Sequence, residues 1–252
     1  MTVLLIDSDI VAFKHAAKFQ TDSEFGSWTD FKGACQGMDN WTSDLMDKLK
    51  GDEAIMCLTD SANFRYDILP SYKGNRKGNE RPQMLQDLKD YLADTYSCYL
   101  REGLEADDVM GILSTHPYLM ADNDRIIVSE DKDMRTIPSK LYAPHRDHLG
   151  IITVTTEQAN QFLAYQAIIG DSTDGFLGCP GLGKGSIYAE ECNETDSSDL
   201  WDLVLDAYAA KGLREEDALI QIRMACILRY NNYDFKTKAV KLWEPVDFLR
   251  EF

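Results

Sequence analysis

The chain predicts an α/β fold, with a mostly parallel central sheet flanked by helices and a helical last third. Three observations carry this. VLLID (3–7), AIMCLTD (54–60) and RIIVSEDKD (125–133) read as short strands that each stop at an acid. Helical segments alternate with them, as a parallel sheet with crossover helices requires. From Thr156 the pattern becomes helical.

The elements follow in order. After the first strand, IVAFKHAAKF continues as a helix. After the second, residues 63–82 are polar, basic and rich in Gly and Asn, and read as a projecting loop with at most a helical turn. MLQDLKDYLADTY (84–96) and GLEADDVMGILS (103–114) have helical periodicity. SKLYA follows RIIVSEDKD as a fourth strand. EQANQFLAYQAII, a glycine-rich loop, IYAEE, SDLWDLVLDAYAAK and EEDALIQIRMACILRY complete the helical part. No composition break marks a linker, so residues 1–155 and 156–252 are expected to pack as two adjoining regions or as one continuous domain.

Composition narrows the function classes. The chain has 252 residues, 44% hydrophobic and 27% charged, typical of a soluble globular protein. MTVLLIDSD has no basic start, and its apolar run is cut short by aspartate. No signal peptide or membrane span is therefore expected, and the expected compartment is the cytoplasm. The six cysteines form no CxxC pair, so they read as reduced, mostly buried thiols. His145-Arg146-Asp147-His148 reads as an exposed turn rather than a metal site. A net charge of −17 argues against nucleic acid as a partner. Two facts offset it: carboxylates around divalent cations are neutralised in part, and Arg65, Lys73, Arg76, Lys77 and Arg81 crowd one short segment.

Five acidic groups fall at strand and helix ends: Asp7, with Asp9 two residues on; Asp60; Glu105 with Asp107 and Asp108; Asp131 and Asp133; Asp171 and Asp174. Ligands of open parallel sheets bind beyond the carboxyl ends of the strands. Alternation along a strand sends Asp131 and Asp133 the same way. At the start of the helix, Glu105, Asp107 and Asp108 are expected to fan toward one spot. A helix cap or a hydrated surface accounts for any one of these acids, but poorly for all five groups together. Two bare carboxylates ~4 Å apart repel by ~4 kcal/mol at an effective dielectric near ~20. The cluster therefore needs cations or raised pKa values. Oxygen ligands without His or Cys select Mg²⁺ or Mn²⁺. The chemistry implied is hydrolysis of a phosphodiester assisted by two magnesium ions. Lys73 and Arg76 would offset transition-state charge, and Tyr72 would be a platform for a terminal base.

LIDSDIVAF, LTDSANFR, SYKGNRK, LEADDVMG, IVSEDKDMRTIP and GDSTDGFLGCPGLGKGS together resemble, in this order, the phage 5′→3′ exonucleases of the flap-endonuclease superfamily. The likeness is greatest to the DNA exonuclease of podovirus-type phages and runs from about residue 3 to ILRYNNYDF. It implies a PIN-like nuclease core over 1–155 with a basic arch at 63–82. A helical DNA-binding region with a helix–turn–helix element would occupy 156–252. It implies one metal site from Asp7, Asp60, Glu105, Asp107 and Asp131 or Asp133. A second would use Asp108, Asp133, Asp171 and Asp174. The arch cations match Lys73 and Arg76, and the stacking aromatic matches Tyr72. Asp9 falls where many members carry a neutral residue, and Glu130 reads as solvated. The implied partners are double-stranded DNA with a 5′ end, RNA–DNA hybrid in primer removal, and replication proteins of a phage in its host cytoplasm.

From Gly178 the chain reads G, four residues, G, K, but Gly185 stands where a nucleotide-hydrolase loop needs Ser or Thr. The stretch reads instead as a turn between two helices. Gly181, Gly183, Gly185 and Ser186 would hold a backbone phosphate with Lys184 adding charge, while Arg65, Lys77 and Arg81 contact DNA from the arch. The resemblance adds a K⁺ ion at this turn. An aspartate-nucleophile phosphatase, suggested by Asp7-Ser8-Asp9, leaves the basic segment unexplained. A non-catalytic DNA-binding subunit leaves the acids unexplained, and an RNA-cleaving PIN toxin is usually about half this length.

Overall fold

A computed structural model describes residues 1–76, 78, 80–119 and 123–252, with Arg76 described by its backbone alone. The chain runs β1 (Thr2–Asp7), α1 (Ser8–Lys18), β2 (Gln20–Ser23), β3 (Gly26–Thr29), α2 (Phe31–Leu49), β4 (Glu53–Leu58), α3 (Arg65–Ile68), α4 (Leu85–Thr95), β5 (Ser97–Leu100) and α5 (Ala106–Thr115). It continues with β6 (Asp124–Val128), β7 (Ser139–Tyr142), β8 (Ile152–Val154), α6 (Thr156–Ile169), α7 (Ile187–Glu191), α8 (Leu200–Ala209), α9 (Glu215–Ala225), β9 (Tyr233–Asp234) and β10 (Ala239–Val240).

The central sheet has six strands in the order β5-β4-β1-β6-β7-β8. Its strands are parallel except β8, which closes one edge antiparallel to β7. Alternation along β1 sends Val3 and Leu5 into the core under α5, and Leu4 and Ile6 into the core under α1, α2 and α4. Continuing it places Asp7 on the α5 side, at the carboxyl edge of the sheet. A third core joins α6, α8 and α9.

Nine of the ten residues of α5 are buried, because the sheet covers one side and residues 227–228 the other. A Cβ on Gly111 would collide with the Leu228 carbonyl, so glycine is required at this crossing. Ala159, Ile227 and Leu228 lie in the same core as Val3 and Leu5, so the helical third shares the apolar interior of the sheet. Among the described residues, no helix is long and apolar enough to cross a membrane.

The structure departs from the sequence reading in several places. The β2–β3 hairpin, α2, β5, β8 and the β9–β10 pair had no sequence assignment, and the last helix, read through ILRY, ends at Ala225. The third predicted strand stops at Val128, and Lys132–Thr136 is a 3₁₀ turn capped by Asp131. Ser129 Oγ accepts from the Asp131 amide at 3.1 Å, and Asp131 Oδ1 accepts from the Asp133 amide at 2.8 Å. Such local bonds draw the chain out of the strand. The segment after β4 does not project along its whole length. Ile68, Leu69 and Tyr72 pack against the helical core, and Asn75 donates to the carbonyls of Ser172 and Thr173. Glu130 is paired with Lys14 at 2.5 Å and is largely covered, rather than solvated. The turn at His145 is exposed, as expected, and the cysteines are free, five of the six buried.

Candidate active site

Asp7 ends β1 and caps α1, accepting from the Ile10 amide at 3.3 Å and from the Ser129 hydroxyl at 2.9 Å. It is 5% exposed. Burial, then the charges of Asp9 and Asp131, push its pKa up to about 7. Asp107 faces it from the first turn of α5. Burial there, with Asp7, Asp131 and Glu105 as neighbours, raises the Asp107 carboxyl well above the ordinary range. Asp133 is pushed up to about 6 by burial and by Asp131. Burial and neighbouring like charge thus disfavour the charged form of all three carboxyls.

Three cations and one amide offset part of that charge. Lys73, with φ 50°, turns back so that its Nζ lies 2.5 Å from Glu105 and 3.9 Å from Asp174. Burial raises the Glu105 pKa, but Arg65 and Lys73 outweigh it and hold the carboxyl below its usual range. Lys132 Nζ bridges Asp133 at 3.0 Å and Asp171 at 2.6 Å. Against its burial, Lys132 and the Thr173 amide keep Asp171 low. Gln166 Nε2 donates to Asp133 at 2.6 Å.

Asp171 and Asp174 come within reach because the chain folds back on itself after α6. Gly170 and Gly178 cross back to back, with φ of 70° and 66°. A Cβ on either would collide with the other strand of the loop. The Asp171 amide donates to Phe176 at 2.8 Å and closes the loop. A cavity of about 20 Å³, room for about one water, lies among Glu105, Asp107, Asp133 and Asp174. It joins acids from three separate stretches of chain. Among the described residues, no group of three or more His, Cys, Asp or Glu side chains is arranged to hold a metal ion; lysine ammonium groups lie between acids instead, Lys73 between Glu105 and Asp174 and Lys132 between Asp133 and Asp171.

Four sequence assignments need correction. Asp108 is fully buried and turned away from Asp107. Its carboxylate receives Arg65 Nη1 at 2.7 Å, Arg65 Nη2 at 2.8 Å and the Leu228 amide at 3.0 Å. Adjacent residues of a helix point about 100° apart, so they cannot share one spot, and Asp108 has no oxygen to offer an ion. Arg65 is not a DNA contact. It is 2% exposed and also donates to the Met224 and Cys226 carbonyls, tying α3 to α5 and to the end of α9. Tyr72 is not a stacking platform, because its ring is 2% exposed and its hydroxyl donates to Glu105 at 2.8 Å. Asp131 and Asp133 do not align by strand alternation, since they lie at the start of a turn.

The remaining assignments have other partners, are exposed or lie outside the described residues. Asp60 accepts from the Gly103 amide at 2.8 Å, which lowers its pKa. The charges weighing most on Asp7 come from Asp9 and Asp131 rather than from Asp60. Asp9 accepts from the Thr59 amide at 3.2 Å and pairs with Lys89 at 2.8 Å. Arg81 is exposed. The Arg76 side chain and Lys77 lie outside the described residues. Gly181, Gly183, Lys184 and Gly185 form an exposed turn, and Ser186 caps α7. Sequence reasoning missed Ser129, Gln166, Lys132 and Lys211, whose Nζ reaches within 3.8 Å of where a Gly181 Cβ would stand. Of these only Lys132, inside the acidic stretch SEDKD, left a signal in the sequence.

Residues 2–161 match the family model described as 5′-3′ exonuclease, N-terminal resolvase-like domain. An exonuclease of Escherichia phage T7 is 30% identical over 96% of this chain and 93% of its own length. An exodeoxyribonuclease of Enterobacteria phage T3 is 29% identical with the same coverage. A flap endonuclease of Shewanella pealeana is 30% identical over 73% of each chain. In three dimensions the fold is similar to a T5 protein co-crystallised with metal ions, with a TM-score of 0.65, 17% identity and 89% of each chain covered. It is also similar to a bacteriophage T5 flap endonuclease in complex with DNA and metal ions, with a TM-score of 0.63, 16% identity and 88% and 89% covered. A parallel sheet whose carboxyl edge gathers acids from across the chain, and relatives matched along nearly its whole length, lead to one assignment: the chain belongs to the 5′-3′ exonuclease family.

Proposed function

We propose that this protein is a divalent-metal-dependent 5′→3′ exonuclease that hydrolyses phosphodiesters of double-stranded DNA from a 5′ end and leaves 5′-phosphorylated products. Removal of flaps and of RNA primers from RNA–DNA hybrids falls within the same chemistry. The observation that carries the reading is the cavity shared by Glu105, Asp107, Asp133 and Asp174, beside Lys73.

The donor set fits Mg²⁺, with Mn²⁺ as a substitute. The acids offer oxygen only, and the raised carboxyls of Asp7, Asp107 and Asp133 need a proton or a cation to relieve them. We assign Asp7, Asp107, Asp131 and Glu105 to one ion, and Asp133, Asp171 and Asp174 to a second, with Asp60 and Asp9 on the rim. When bound, the ions supply charge for the scissile phosphate and lower the pKa of an attacking water. The chain's own part is positional. Ser129 aims Asp7, while Tyr72 and Arg65 fix Glu105. Lys73, released from Glu105, neutralises charge on the phosphate. Arg76, Lys77 and Arg81 extend that positive field along the strand. The turn of Gly181, Gly183, Lys184, Gly185 and Ser186 grips the duplex backbone, with Lys211 beside it and K⁺ as its ion, as the helix–turn–helix element joining α6 to α7. Free cysteines suit a cytoplasmic site of action, alongside phage replication proteins.

A time course on 5′-labelled duplex, flap and RNA–DNA hybrid, with Mg²⁺, Mn²⁺ or EDTA, tests this. Release of labelled product from the 5′ end with Mg²⁺ and not with EDTA is expected. Cleavage that persists in EDTA, or that starts from the 3′ end, overturns it.

A further inference from the structure

Lys132 stands between two acids from distant parts of the chain, the 3₁₀ turn after β6 and the loop after α6. Its Nζ is 3.0 Å from Asp133 and 2.6 Å from Asp171, whose side chains are only 15% and 11% exposed. Those two carboxylates offer their oxygens to the same point, and an ammonium occupies it. The Lys132 side chain is itself 59% exposed, so the group can swing into solvent without disturbing the core. Gln166 Nε2 donates to the same oxygen of Asp133 that Lys132 meets, and the Gln166 Oε1 is buried without a hydrogen-bond partner, an acceptor left over beside that carboxylate.

We propose that Lys132 is a displaceable counter-ion of the second cation position. It holds Asp133 and Asp171 together while no ion is bound, and it gives up its place when a divalent ion arrives. The inference rests on the two-ion reading above. An ammonium and a divalent cation cannot share one pair of carboxylates at these distances, because like charges there repel strongly in a partly covered site. Lys132 therefore lowers the affinity of that position and leaves the ion around Asp7 and Asp107 largely untouched. It also sets a threshold, since the second ion must displace an internal cation before it binds.

The test is calorimetric titration of Mg²⁺ into DNA-free protein for the wild type, Lys132→Met, Lys132→Arg and Lys14→Met. Lys14 is a fair control, being 53% exposed and paired with Glu130 rather than with an assigned ligand. Two binding events are expected in the wild type. In Lys132→Met the weaker event tightens by ~10-fold, equivalent to about 1.4 kcal/mol. Lys132→Arg and Lys14→Met stay within about twofold of wild type. Two events with unchanged affinities in Lys132→Met overturn the role of Lys132, as does an equal gain in Lys14→Met. A wild type that takes up only one ion overturns the two-ion reading itself.

Discussion

Asp107 and Asp108 are neighbours in the chain and opposites in the structure. Asp108 is sealed against Arg65, 2.7 and 2.8 Å from its guanidinium nitrogens, whereas Asp107 joins Asp7 and Asp131 in a crowded acidic cleft. One carboxylate holds the scaffold together, and the other is destabilised by it. Replacing each should therefore have opposite consequences.

Asp108→Asn or Arg65→Ala leaves a buried charge without its partner. Each should destabilise the protein by about 3–5 kcal/mol, read as a lower urea midpoint. Asp107→Asn should abolish cleavage, spare DNA binding and raise the melting temperature in EDTA. Full cleavage by Asp107→Asn would contradict its assignment as a ligand.

The raised acids make stability fall as pH rises. A carboxyl with a higher pKa folded than unfolded binds more protons in the folded state, so stability is fully present below the unfolded value and is lost on the way up. For Asp133 that window runs from its ordinary value near 3.8 to about 6, and for Asp7 from the same value to about 7. In EDTA the melting temperature should drop between pH 5 and pH 8. Added Mg²⁺ should restore it at pH 8 and change little at pH 5. A flat profile in EDTA would show that these acids are not buried together.

Tyr72→Phe separates two roles of one ring. A stacking platform would tolerate the change, but a hydroxyl that orients Glu105 would not. Loss of a hydrogen bond to a charged group costs about 1.5–3 kcal/mol, so the single-turnover rate should fall by ~10-fold or more with DNA affinity unchanged. Unchanged turnover would remove Tyr72 from the positioning of Glu105.

Lys73→Ala should slow the chemical step more than it weakens binding, measured as single-turnover rate against anisotropy with labelled duplex. Equal losses in both would mean that Lys73 only binds.

Lys184→Ala and Lys211→Ala should weaken binding of all duplex sequences alike. Each should reduce the salt dependence of log K by about 1. A sequence-dependent loss would contradict a backbone grip by the glycine turn.

The amino-acid sequence determined the strands that end in Asp7 and near Asp60, the helix opening at Glu105, and the oxygen-only donor character of the acids proposed as ligands, because these depend on local pattern and residue type alone. Apolar runs bury themselves wherever the chain leads, and carboxylates without histidine or cysteine favour hard cations in any arrangement. The 19-residue helix α2 escaped notice because its buried positions include Ala34, Cys35 and Thr42, too weakly apolar to make a clear stripe. Tertiary structure decided which acids converge and which side chains restrain them. Tyr72 meets Asp174 across 102 residues, and Arg65 meets the Cys226 carbonyl across 161. A side chain is a ligand, a scaffold or a surface contact according to what packs against it. That neighbour comes from a remote segment, whose arrival depends on the free energy of the whole fold rather than on any local signal.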